Sequence, residues 1–200
     1  MNINGKRKII IFGMVVLTIV WAAAVGLNAG ATQAGASARG VICIDAGHGG
    51  FDPGAVGSTS EIGEDVINLA IAKELKAEFE ARGFSVLMTR EDENALAGTK
   101  AEDMQRRREI IGGSNAVLMI SLHRNANGDS SVSGPIAYFY PGSAEGELLA
   151  QCVQDKLNEY LMPAKDKIIN SDNYYVLRAG QMPSIIVEVG FMTNADDEYK

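Results

Sequence analysis

Three short segments of this chain are apolar almost from end to end: 41–44 (Val-Ile-Cys-Ile), 117–122 (Val-Leu-Met-Ile-Ser-Leu) and 185–187 (Ile-Ile-Val). A strand that alternates polar and apolar residues keeps one wet face, whereas a strand without alternation must be covered on both. Between these runs the period becomes that of a helix. Ile67, Ile71, Leu75 and Phe79 recur every four residues within 64–82 and form one stripe, with Gly83 as the stop. Leu148, Leu149, Cys152, Val153, Leu157 and Leu161 mark a second amphipathic helix over 143–161, with Ser143 as its cap. The stretch 84–89 reads as another strand, 101–111 as a polar, exposed helix, and 136–140 as a more alternating strand suited to a sheet edge. Strands interleaved with helices predict an α/β fold, a mainly parallel central sheet flanked by helices in a single domain.

Residues 1–38 are a different material. They contain no Asp or Glu, and Lys6, Arg7 and Lys8 precede an apolar run over 9–27. At about 1.5 Å per residue that run spans roughly 28 Å, close to the hydrocarbon core of a bilayer. A basic start before such a run reads as a signal peptide or a signal anchor. Its length favours the anchor, while Ala36-Ser37-Ala38 suits a signal peptidase. The expected organisation is a signal or anchor segment over 1–27, a Gly/Ala/Ser-rich linker over 28–40 and a domain over 41–200. That places the domain outside the cytoplasm, anchored to the membrane or secreted. The whole chain has a net charge of −7, but the part after residue 38 carries 15 basic and 25 acidic side chains, a net −10. Such a domain is not built to bind nucleic acid. With 46 % hydrophobic residues overall, the chain is not a disordered polymer either. Cys43 and Cys152 are too few for a disulfide scaffold, and both fall on apolar faces, as buried thiols would.

The chain has only two histidines. His48 lies just beyond the first apolar run, and His123 directly ends the second. Glu188 directly follows the third. Ligands and chemistry in open α/β sheets gather beyond the carboxyl ends of the strands. Parallel neighbours would bring these three side chains to one rim, and Glu64 opens the helix that follows the His48 loop. Two imidazoles and a carboxylate form a tripod for Zn²⁺ that leaves a fourth position for water. Glu188, set among apolar strand residues, suits a general base whose pKa is raised by desolvation.

Each residue also has a plainer reading. A loop histidine is more often a hydrogen-bonded surface group. An acid such as Glu64 is favoured at any helix N-terminus. Glu188 is equally placed to be a buried partner of Arg90 or Arg107. Asp45 and Asp52 flank His48 as further potential ligands, and are read here as groups that orient the imidazole or its loop.

Four segments occur in order: Ile44-Asp45-Ala46-Gly47-His48-Gly49-Gly50-Phe51-Asp52-Pro53-Gly54-Ala55, Glu64-Asp65-Val66-Ile67-Asn68-Leu69, Ile120-Ser121-Leu122-His123-Arg124-Asn125-Ala126 and Val187-Glu188-Val189-Gly190-Phe191. Together they resemble the zinc-dependent N-acetylmuramoyl-L-alanine amidases of the amidase-3 family, over residues 41 to about 198. The resemblance implies hydrolysis of the amide between N-acetylmuramic acid and L-alanine in peptidoglycan. It implies His48, Glu64 and His123 as zinc ligands and Glu188 as the catalytic carboxylate. It favours Glu64 over Glu61, because the Glu-x-x-x-Asn-Leu pattern matches Glu64, Asn68 and Leu69. The short form with an N-terminal anchor is most similar to the sporulation amidases of the CwlD type, which act in forming spore-cortex muramic-δ-lactam. A protein activator is a candidate partner.

Two departures stand out. Arg124 occupies a position where the family has a smaller or uncharged residue, and it is expected to contact a substrate carboxylate or point to solvent. Family members also continue with a closing helix after the Gly190-Phe191 segment, so a truncated chain or a missing layer is expected. The alternatives to an amidase are an exported, non-catalytic peptidoglycan-binding module, and a metallopeptidase or deacetylase using the same tripod.

Overall fold

The computed structural model describes residues 39–163 and 165–198. The expected anchor over 1–27, and the linker up to residue 38, lie outside the described residues. Among the described residues no helix is long and apolar enough to cross a membrane.

The three apolar runs form adjacent strands. They are β1 (Val41–Ala46), β3 (Leu118–Asn125) and β6 (Ser184–Phe191). β2 (Ser85–Met88), β4 (Ile136–Phe139) and the two-residue β5 (Asn170–Ser171) complete a six-stranded sheet in the order β2-β1-β3-β6-β4-β5. The pairs β1·β2, β1·β3, β3·β6 and β4·β5 are parallel, and β4·β6 is antiparallel. The mainly parallel sheet expected from the unbroken apolar runs is therefore present.

β4 does not sit at the edge that its alternation suggested, because β5 pairs along its outer side. A strand of one Asn and one Ser has no hydrophobic period, so the sequence carries no signal for it.

The helices α1 (Glu64–Ala81) and α3 (Ala144–Leu161) cover one face of the sheet. Ile71, Ala72, Leu75 and Phe79 of α1 and Leu149, Ala150, Val153 and Leu157 of α3 pack there against Ile42, Ile44, Ile120 and Leu122. Each large side chain buried there contributes about 1.5–3 kcal/mol. Helix α2 (Lys100–Gly113) and a 3-10 turn (Val176–Arg178) cover the other face over Cys43, Met119 and Ile186. α2 is the polar, largely exposed helix its composition suggested, but it buries one stripe. Asp103, Arg107 and Ile111 are spaced four apart and buried along one stripe. A final short helix, α4 (Ala195–Glu198), closes the described chain. Both cysteines are free, Cys43 fully buried and Cys152 half-buried.

The helix starts are specified locally. Ser143 accepts a hydrogen bond from Gly146 N at 3.1 Å, and Thr99 accepts one from Glu102 N at 3.3 Å while its hydroxyl donates to Glu102 Oε2. α1 has Gly63 at its cap and no side-chain partner there. Its first amides, Glu64 N and Asp65 N, donate instead to Ala55 O (2.8 Å) and Pro53 O (3.2 Å). The helix start is thus bonded to the loop that carries His48.

Candidate functional site

Because β1, β3 and β6 run parallel and side by side, their carboxyl ends share one edge of the sheet. His48 lies two residues past β1, and His123 and Glu188 are direct register partners on β3 and β6. Glu64, the first residue of α1, faces the same point. His48, Glu64 and His123 each offer a ligand atom, all within 4.8 Å of one another. The structure thus brings together all four residues singled out from the sequence, and it leaves Glu61 exposed.

Glu64 is held from every side. Its Oε1 lies 2.9 Å from His123 Nδ1 and 3.3 Å from His48 Nε2. The same oxygen accepts from Arg124 N at 3.0 Å and Asn68 Nδ2 at 3.2 Å, while Oε2 accepts from Ala55 N at 2.9 Å. Burial alone would raise its pKa, but hydrogen bonds and charge from His123 and His48 outweigh that and hold it well below the carboxylate range. Burial likewise opposes charge on His48, but Glu64 and Asp52 reverse the effect and raise its pKa. A buried anion between two imidazoles is a donor set suited to a divalent cation. The backbone leaves room for this convergence: a Cβ on Gly47 would collide with the His123 imidazole, and one on Gly54 with the Glu64 carboxylate.

His48 has φ of 61°, in the left-handed region that a residue with a Cβ enters at an energetic cost of about 1–3 kcal/mol. Two buried arginines hold the chain there. Arg90 donates to Ala46 O (2.9 Å), Gly47 O (2.9 Å) and Asp65 O (2.8 Å). Arg107 donates to Ala46 O (2.6 Å) and to His48 O, and pairs with Asp45 (2.8 Å) and Asp103 (2.7 Å). Asp45 also accepts from Thr89 and Ser121 hydroxyls, at 2.7 and 2.6 Å. Burial would raise the Asp45 pKa, but Arg107 and these hydroxyls bring it below the usual range. Asp45 therefore acts on the His48 loop through Arg107. Asp52 lies beside the imidazole itself, 3.0 Å from His48 Nδ1 and 3.1 Å from Lys100 Nζ.

This arginine clamp is not what the sequence predicts, which is Arg90 or Arg107 as a partner for Glu188. Neither pairs with Glu188. The signal available was the Asp103, Arg107, Ile111 spacing, which puts a cation on the buried side of α2.

Glu188 Oε2 is buried without a hydrogen-bond partner among the described residues. Burial, helped by the Glu64 charge and only partly countered by the histidines and Arg124, pushes its pKa up to about 7. A carboxylate with a free oxygen and a pKa near neutrality can take and return a proton. Arg124 corrects the expectation that it points to solvent. It is buried, and its guanidinium donates to Asp197 O in α4. Asp197 Oδ2 in turn accepts from Gly134 N (2.6 Å) and Phe191 N (3.0 Å), and Glu198 accepts from the amides of Thr59 and Ser60. α4 thereby fastens the loop that precedes Glu64.

Residues 42–200 match the Amidase_3 family, described as N-acetylmuramoyl-L-alanine amidase. The chain is 34 % identical over 165 residues to the germination-specific N-acetylmuramoyl-L-alanine amidase of Bacillus subtilis (strain 168), covering 78 % of this chain and 69 % of that protein. It is 33 % identical to the amidase LytC of the same organism, over 80 % of this chain but only 31 % of that protein. Among solved structures it is similar to the CwlD amidase of Clostridioides difficile in complex with the GerS lipoprotein. That match has TM-score 0.74 and 31 % identity, covering 80 % of this chain and 90 % of that chain. The catalytic domain of CwlV from Bacillus (Paenibacillus) polymyxa var. colistinus matches with TM-score 0.66 and 29 % identity, over 80 % of this chain and 84 % of that one.

Proposed function

The chain belongs to the N-acetylmuramoyl-L-alanine amidase family, and from that premise we propose that His48, Glu64 and His123 hold a zinc ion and that Glu188 is its general base and acid. It hydrolyses the amide between N-acetylmuramic acid and L-alanine in peptidoglycan. The observation that carries the site assignment is the convergence of His48, Glu64 and His123 within 4.8 Å, beside a buried carboxylate with a free oxygen.

When bound, the zinc supplies Lewis-acid chemistry, polarising the scissile carbonyl and acidifying a water molecule. The protein's own groups do the rest. Glu188 takes the proton of the attacking water and delivers it to the leaving amine of L-alanine. Its burial keeps it basic enough to accept and acidic enough to donate. Arg90 and Arg107 hold the His48 carbonyl and its neighbours, so the imidazole is placed before substrate arrives. Lys100 and Asp52, at the mouth of the same cleft, set the polarity on the His48 side.

The CwlD structural neighbour and the germination-specific relative support a role in spore-cortex modification. The complex of that neighbour with a lipoprotein supports a protein partner. The expected basic and apolar N-terminal segment supports action outside the cytoplasm, attached to the membrane or secreted.

Metal analysis with a peptidoglycan digest tests the proposal. Wild-type protein should carry about one zinc per chain and release new N-terminal L-alanine from intact glycan. Glu188→Ala should keep zinc and lose turnover, and His48→Ala should lose zinc. Full activity in Glu188→Ala, or unchanged metal in His48→Ala, rejects the assigned roles. Product mass separates an amidase from a peptidase or deacetylase, because only muramoyl cleavage frees an intact stem peptide.

A further inference from the structure

We infer that Arg108 and Arg178, flanking the ring of Tyr175, form a carboxylate-binding subsite for the peptide on the leaving side of the scissile amide. The inference rests on the amidase reading and extends it to how the peptide is held.

Arg108 Cζ lies 5.0 Å and Arg178 Cζ 5.7 Å from the Tyr175 ring centroid. Both guanidiniums are exposed, and neither has a carboxylate partner among the described residues. Their neighbours differ: Arg106 pairs with Glu109 at 3.0 Å, and Arg107 is buried on Asp45 and Asp103. In a chain of net charge −7, two cations gathered on one ring without an acid are out of keeping with their surroundings. The ring face offsets part of their mutual repulsion. What the pair lacks is an anion, and a planar guanidinium binds a carboxylate through parallel N–H donors.

Position ties the pair to the site. α2 begins at the cleft, where Lys100 lines it together with His48 and Glu188. Arg108 follows eight residues on, about 12 Å along the axis at 1.5 Å per residue. On the opposite bank, Tyr138 pairs with Ile186 and so shares the sheet face of Glu188, two residues further along β6. The Tyr138 ring meets Tyr174 edge-on at 5.5 Å, and Tyr175 follows directly. α2 and the 3-10 turn close the far end, where a Cβ on Gly112 would sit 2.7 Å from Ala179 O. An extended peptide covers about 12 Å in three to four residues at 3.3–3.6 Å each. A peptide laid along α2 with its first amide at Glu188 would span that length in about three to four residues, which sets its carboxyl end at the level of Arg108.

The test uses the full-length, zinc-loaded chain and a muramoyl-tetrapeptide, once with free carboxylates and once with them amidated. Arg108→Gln and Arg178→Gln should each raise KM for the free acid about 5- to 20-fold, with kcat changed less than twofold. The double variant should raise it further, and Arg178→Lys should restore part of the loss. Amidated substrate should show a raised KM with wild type and no further response to the substitutions. Added salt should shrink the wild-type advantage for the free acid. Equal KM shifts on both substrates, or none on either, overturn the subsite. Binding of the free tetrapeptide, followed by isothermal calorimetry, reads the subsite without turnover: weaker binding in the double variant supports it, and unchanged binding overturns it. Arginine-dependent binding by a wild-type protein that cleaves nothing would fault the amidase reading and leave the subsite standing.

Discussion

Replacing Arg107 by Leu should be the most damaging single change beneath the proposed metal ligands. The side chain is almost fully buried and uses four N–H donors, on Asp45, Asp103, Ala46 O and His48 O. Leucine fills part of the volume but leaves Asp45 and Asp103 without their cation and His48 O without its side-chain donor, while Ala46 O keeps Arg90. Removing one member of a buried ion pair destabilises by about 3–5 kcal/mol, because the remaining charge stays out of water. For a domain of this size each kcal/mol moves Tm by about 2–4 °C, so a fall of about 6–20 °C is expected. Calorimetry with and without zinc measures this and a second quantity. A ligand stabilises the native state by RT ln(1 + [L]/Kd), so the zinc-induced rise in Tm reports affinity. If Arg107 holds His48 in its left-handed conformation, that rise should be smaller in Arg107→Leu than in wild type. Asp45→Asn in the same background should cost less than it does alone, since the pair is already broken. A Tm loss below about 3 °C would refute the buried network. A large Tm loss with an undiminished zinc-induced rise would refute the link between Arg107 and the metal site.

Other expectations follow from the same geometry. Glu188 must be ionised to act as base, so kcat/KM should fall as pH drops through its pKa. Burial places that limb near 7, and the charge of a bound cation shifts it lower; a profile flat from pH 5 to 8 would remove Glu188 from that role. Gly47→Ala should weaken zinc binding at least tenfold by equilibrium dialysis, because the new methyl collides with the His123 ring. Asp197→Ala should destabilise by about 1–3 kcal/mol in urea unfolding, since Gly134 N and Phe191 N lose a buried acceptor. Leu75→Ala, in the middle of the α1 stripe, should cost about 2–5 kcal/mol without changing zinc content.

What could be read in the sequence, and what could not, follows from the range of the interactions. Runs such as Ile185-Ile186-Val187 and stripes such as Ile71, Leu75 and Phe79 are local patterns, and they located the strands, the helices and the sheet type. The rule that polar groups at parallel strand ends meet at one rim then brought His48, His123 and Glu188 together. The Arg107 clamp was hidden because its partners lie up to 62 residues away, and the middle arginine of the run Arg106-Arg107-Arg108 in a polar helix looks solvated. Arg124 was misplaced for the same reason: its acceptor belongs to α4, 73 residues on. β5 and the outer position it takes from β4 rest on two residues whose pairing is set by neighbours and not by their own character.

The site has no local version. Glu64 meets His123 across 59 positions, and Asp45 meets Ser121 across 76. Parallel strands cannot be joined by a tight turn, and contacts of such separation form late and slowly. No short fragment of the chain holds His48, Glu64, His123 and Glu188 together, and a nascent chain brings all four to one rim only when β1, β3 and β6 lie in register. Completion of the fold is therefore itself a safeguard: a peptidoglycan amidase built this way gains its cutting ability at the last step of its assembly.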